Sequence, residues 1–122
     1  MSNILIAEDE PSMYRLISFK LEANGFEVDI ATDGVVALEK IKNSSYSALI
    51  LDLMLPQLDG MQVLKRIRDN NIKIPVLILS AKSQEKDVLA GLKSGADDYL
   101  SKPFRPAELL SRLNKLLENK ND

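Results

Sequence analysis

Five side chains in this sequence could do chemistry together: Glu8, Asp9, Asp52, Ser80 and Lys102. Each closes or follows a short apolar run. ILIA runs into Glu8 and Asp9, ALIL into Asp52 and VLIL into Ser80, while Lys102 follows DDYLS. A carboxylate set in apolar surroundings is costly unless something offsets its charge. Three carboxylates gathered at one spot would repel by about 4 kcal/mol per close pair at an effective dielectric of about 20. Either their pKa values rise or a hard divalent cation sits among them. With oxygen ligands alone, and too few carboxylates for a full cage, Mg²⁺ completed by water fits better than Ca²⁺ or Zn²⁺.

Each residue also has an ordinary role. Asp9, ahead of Glu10–Pro11–Ser12, could cap the helix that follows. Asp52 could bond nearby backbone amides, as aspartates at strand ends do. Lys102 could be a surface lysine, Ser80 a turn residue and Tyr99 a half-buried packing residue. The combination favours a single site, because four separate strand ends would otherwise present compatible polar groups by accident.

The elements that position these groups are legible from periodicity. Strand-like runs fall at residues 3–8, 26–31, 47–52, 75–80 and 97–101, with amphipathic helical stretches between them. In the first stretch Met13, Leu16, Ile17 and Leu21 recur at helical spacing; in the last, Leu109, Leu110, Leu113, Leu116 and Leu117 do so. The continuous apolar strands are those of a parallel sheet buried on both faces. Pro11 and Pro106 mark helix starts, and Gly25 and Gly95 mark helix ends. Gly91, inside a helical stretch, implies close packing or a weaker helix. Five βα units predict one α/β domain over residues 1–122, a doubly wound parallel sheet. Ligands of such sheets bind at the carboxyl ends of the strands, where all five groups lie. The second strand ends in Ala31–Thr32 and adds no charge.

Composition narrows the chemistry. Apolar residues make up 45% and charged residues 28%, a globular balance. A net charge of −2 gives no electrostatic grip on nucleic acid. The chain has no cysteine, which fits a reducing cytoplasm, and no histidine, which excludes imidazole ligands and phosphohistidine within the chain. No apolar stretch is long enough to cross a membrane, and MSNILIAEDE has no basic leader. A cytoplasmic location is expected.

Four stretches carry a family resemblance: LIAEDEP, LILDLMLPQLDG, PVLILSAK and GADDYLSKPF. In these and their spacing, from Ile4 to about Leu117, the chain resembles the receiver domain of bacterial two-component response regulators. The resemblance implies a flavodoxin-like sheet of order 2-1-3-4-5 with five helices. It implies that Asp52 is the phosphoacceptor, taking a phosphoryl group from a sensor histidine kinase or a histidine phosphotransfer protein. Glu8, Asp9, Asp52 and the backbone carbonyl of Met54 would hold Mg²⁺, with Mn²⁺ able to substitute and Glu8 acting through water. Lys102, before a cis Pro103, would pair with Asp52 and then with the phosphoryl oxygens. Ser80 would bond a phosphoryl oxygen and shift, vacating space into which Tyr99 turns. That repacks the face of the fourth helix, fifth strand and fifth helix. Asp98, Glu108 and Arg112 match residues that transcription-factor receivers use to form homodimers there, whereas Val88 replaces a basic residue. The expected role is a switch acting on a downstream output domain or protein, with no direct nucleic-acid binding by this domain. The run ENKND after the last helix fits either a stand-alone receiver or the front of a longer regulator.

Met54 and Lys82 are expected to flank the water path to an aspartyl phosphate and set its lifetime. An enzyme reading competes: phosphatases of the haloacid dehalogenase type also use an aspartate nucleophile with Mg²⁺. They need a second aspartate two residues on, where this chain has Met54. No Gly-rich phosphate loop follows any strand.

Overall fold

The computed structural model describes residues 2–120. The elements alternate along the chain: β1 (Asn3–Ala7), α1 (Pro11–Glu22), β2 (Glu27–Ala31), α2 (Gly34–Asn43), β3 (Ala48–Asp52), then α3 (Gly60–Asp69), β4 (Val76–Ser80), α4 (Glu85–Lys93), β5 (Asp98–Ser101) and α5 (Pro106–Lys120). Every expected strand is present, each a residue shorter at one end. Pro75 supplies no N–H, which suits its place just ahead of β4. Pro11 and Pro106 open α1 and α5. Gly25 and Gly95 take left-handed conformations shortly after α1 and α4.

All strand pairings are parallel, and the sheet order is β2-β1-β3-β4-β5. This is the flavodoxin-like arrangement the resemblance implies. Alternation along each strand divides the core in two. Ile4, Ile6, Ile50, Leu77 and Leu79 pack with Ile17 and Leu21 of α1 and Leu109 and Leu113 of α5. Leu5, Leu49, Leu51 and Ile78 face the other way, onto Leu38 and Ile41 of α2 and Val63, Leu64 and Ile67 of α3. Both faces of β3 and β4 are buried throughout, which explains their unbroken apolar sequences. Gly91 lies where α4 crosses the sheet: a methyl group there would approach Ile78 Cδ1 to 2.9 Å and the Tyr99 ring to 3.1 Å. Close packing is therefore why α4 carries a glycine. No described helix is long and apolar enough to cross a membrane.

Candidate functional site

The parallel register brings the strand ends to one level. Ala7 pairs with Leu51, so Glu8 and Asp52 leave adjacent strands side by side. Asp52 pairs with Leu79, and Ser80 pairs with Ser101, which places Ser80 and then Lys102 along the same edge. Lys102 is drawn in further by its own amide, which donates to the Ser80 carbonyl at 2.8 Å.

Lys102 joins the two buried carboxylates. Its Nζ donates to Glu8 Oε1 at 2.8 Å and to Asp52 Oδ2 at 3.1 Å. Glu8 is 1% exposed and Asp52 5%. The second oxygen of each is also used: Glu8 Oε2 accepts from the Glu10 amide at 3.2 Å, and Asp52 Oδ1 from the Met54 amide at 3.0 Å. Burial holds the Glu8 carboxyl above its ordinary range; the bond from Lys102 opposes this and the nearby Asp52 reinforces it. Burial works against the Lys102 charge, yet its bonds to Glu8 and Asp52 outweigh that and hold its pKa above the usual value. Lys102 is therefore a fixed cation.

Asp9 does not cap α1. The cap position is Glu10, whose side chain makes no capping bond, and Asp9 lies exposed beside the pair. Glu8, Asp9 and Asp52 each offer an oxygen within 4.8 Å of the others. An all-oxygen set, two members buried and one open to solvent, suits a small hard cation that keeps part of its water. The Lys102–Pro103 peptide is cis, as expected. Asp9, Met54, Pro56, Asp59 and Lys82 line one open cleft beside the carboxylates. Met54 and Lys82 thus flank it from two loops, with the Met54 side chain 63% exposed.

Ser80 is fully buried, and its Oγ accepts from the Lys82 amide at 3.0 Å. Tyr99 donates its hydroxyl to the Lys82 carbonyl at 2.6 Å. One residue is thus held by both. Tyr99 lies inward, 7% exposed. Two features allow it, the bare backbone of Gly91 beside the ring and the acceptor that the Lys82 carbonyl offers.

On the α4-β5-α5 face, Arg112 pairs within the chain, with Asp98 at 3.0 Å and Glu108 at 3.5 Å. Val88 packs against the core, which accounts for an apolar residue at that position.

The family model of the response regulator receiver domain matches residues 4–114. The chain belongs to this family. Among curated relatives, the receiver is 42% identical to the alkaline phosphatase synthesis transcriptional regulatory protein PhoP of Bacillus subtilis, over 93% of this chain and 48% of that protein. It is 43% identical to the response regulator ArlR of Staphylococcus epidermidis, over 100% of this chain and 55% of that protein. The chain thus spans about half the length of these relatives. Among solved structures, the Francisella response regulator 1452 receiver domain superposes with a TM-score of 0.96 at 41% identity, covering 98% of this chain and 99% of that one.

Sequence reasoning passed over two glycines that shape the site. A methyl group on Gly60 would overlap the Asp52 carbonyl and come within 2.6 Å of Leu53 Cα; one on Gly34 would overlap the Leu58 carbonyl. Their signal was present. Both follow an aspartate, in TDG and LDG, and both aspartates cap the helix that the glycine opens.

Proposed function

We propose that this receiver domain is a phosphorylation-operated switch in which Asp52 accepts a phosphoryl group from a phosphohistidine of a sensor kinase or phosphotransfer protein. A carboxylate oxygen of Asp52 attacks phosphorus as the P–N bond breaks, and the electron pair leaves with the partner's imidazole. The domain contains no histidine, so the donor is a separate protein or domain. Glu8, Asp9, Asp52 and the Met54 carbonyl would hold Mg²⁺, or Mn²⁺ in its place, which when bound would supply positive charge to the phosphoryl oxygens. Lys102 keeps Glu8 while passing from Asp52 to a phosphoryl oxygen. Ser80 turns its hydroxyl from the Lys82 amide to the phosphoryl group. That frees one side of the residue whose carbonyl Tyr99 holds, and the change spreads to the α4-β5-α5 face. Through that face the domain forms a phosphorylation-dependent homodimer or acts on an output domain. It works in the cytoplasm and turns over no substrate beyond its own phosphate. Met54 stands where a hydrolytic general acid would be needed. Met54 and Lys82 restrict water and set the lifetime of the signal.

The observation that carries this reading is a single ammonium bonded to two buried carboxylates at the end of a parallel sheet, with a third carboxylate beside them. The test is incubation with acetyl phosphate and Mg²⁺, followed by intact-protein mass measurement. One phosphoryl group is expected on the wild type and none on Asp52→Asn. Equal labelling of Asp52→Asn would sink the assignment.

A further inference from the structure

The turn that carries Met54 is held from outside by a glycine. Among the described residues, the one hydrogen bond from another element to residues 55–58 comes from Gly34, whose amide donates to the Pro56 carbonyl at 3.1 Å. The same carbonyl accepts from the Leu58 amide at 2.8 Å, closing a tight turn over Gln57. Gln57 has φ 69°, a left-handed conformation that a glutamine holds only when its surroundings impose it. Gly34 is buried at the start of α2, and any methyl group there would overlap the Leu58 carbonyl oxygen and stand 2.6 Å from its carbon. The opposing atoms are backbone, which cannot swing aside as a side chain can.

The position of this turn matters for the carboxylates. At one end the Met54 amide donates to Asp52; at the other, Asp59 caps α3 and Gly60 donates to the Leu53 carbonyl at 2.8 Å. Both ends are fixed, and Gly34 sets the height of the middle. Asp33 holds the start of α2 rigid by accepting from the Val36 amide at 2.8 Å.

We propose that Gly34 is a positioning residue of the acceptor site. The bare backbone at the start of α2 seats the Pro56–Leu58 turn and thereby aims the Met54 backbone at the carboxylate cluster. The inference rests on the proposed function, since it needs a cation among Glu8, Asp9 and Asp52. Small displacements of groups that orient ligands weaken metal binding while leaving the fold intact.

The experiment titrates Mg²⁺ against the thermal unfolding midpoint of three proteins: wild type, Gly34→Ala and Glu39→Gly. Glu39 is exposed in the middle of α2, so its replacement weakens the helix without touching the turn. The Mg²⁺ concentration needed for a given rise of the midpoint above its metal-free value should be about tenfold higher in Gly34→Ala and the same as for the wild type in Glu39→Gly. An unchanged Gly34→Ala, or an equal rise in both variants, would overturn the role given to Gly34. A wild type that does not respond to Mg²⁺ would overturn the proposed function and this inference with it. Should Gly34→Ala fail to fold, amide NMR of the wild type decides. Mg²⁺ should shift the Gly34 amide along with those of Met54 and Leu58; a Gly34 amide that stays put while Met54 moves refutes the coupling.

Discussion

In the proposed switch, Asp52 is a carboxylate held in one orientation. Its two oxygens accept from an ammonium and a backbone amide, which together fix the orientation of the carboxylate. An aspartyl phosphate formed there would be lost when water attacks in line with the bond to Asp52. Met54 and Lys82 line the open cleft beside Asp52, the approach proposed for that water. A thioether accepts hydrogen bonds only weakly, and an ammonium is purely a donor, so neither can take a proton from an attacking water. The double variant Met54→Asn with Lys82→Glu introduces an amide and a general base. Loss of phosphate from the protein in Mg²⁺ buffer should then quicken by about tenfold or more, a fraction of what a well-placed general base contributes. A rate equal to or below the wild-type rate would show that these side chains do not guard the water path.

The edge strand β2 illustrates what holds the elements together away from the site. Asp29 accepts from Lys40 of α2 at 3.0 and 3.1 Å, from the Tyr46 hydroxyl at 2.7 Å and from the Ile30 amide at 2.9 Å. Burial pushes the Asp29 carboxyl up, but the bonds from Tyr46 and Lys40 win and hold it below the usual carboxylate range. Burial and Asp29 together push the Tyr46 hydroxyl up to about 12. Removing that hydroxyl in Tyr46→Phe should cost about 1 kcal/mol near neutral pH, less than a fully buried charged hydrogen bond because Asp29 is partly solvated. A depressed carboxyl contributes stability above its unfolded pKa of about 3.9 and loses it as pH falls through the folded value. A raised phenol contributes below its unfolded pKa of about 10 and loses that as pH rises through the folded value. The gap between wild type and variant should therefore be flat from about pH 5 to 9 and close below about pH 4. Urea unfolding across that range is the measurement, and a gap that persists undiminished at the acid end would refute the pairing. None of this cluster was visible in the sequence, because Asp29, Lys40 and Tyr46 lie on a strand, a helix and a loop with no shared period. Strands and helices were legible because burial on both faces of a parallel sheet leaves unbroken apolar runs. Arg68 escaped notice for a different reason: its guanidinium donates to the Gly95 and Ile72 carbonyls, backbone acceptors that leave no trace in residue type.

Across the whole molecule, the site could be read because parallel strands end at one edge, so polar residues after apolar runs must meet there. The bond from the Tyr99 hydroxyl to the Lys82 carbonyl could not, since its acceptor is backbone and the ring needs the space above Gly91. The assembled edge also works against the fold. Three carboxylates stand within 4.8 Å of one another and one lysine answers them, leaving an excess of negative charge. Asp9 is the member that Lys102 does not reach, and being exposed it feels the others through water, at about 1 kcal/mol rather than the 4 of a shielded pair. Its place ahead of α1 recovers about 0.5 kcal/mol from the helix dipole, too little to cancel that repulsion. Asp9→Asn should therefore be more stable than wild type in chelator by roughly 0.5–1 kcal/mol. Mg²⁺ should invert the order. At a hundredfold excess over its dissociation constant the cation stabilises a binding-competent wild type by about 2.7 kcal/mol. The variant, lacking one of three carboxylates, gains much less. Urea unfolding with chelator and then with Mg²⁺ tests both halves. A variant already weaker in chelator would mean that Asp9 serves the fold, and a variant that gains as much from Mg²⁺ as the wild type would remove Asp9 from the cation site.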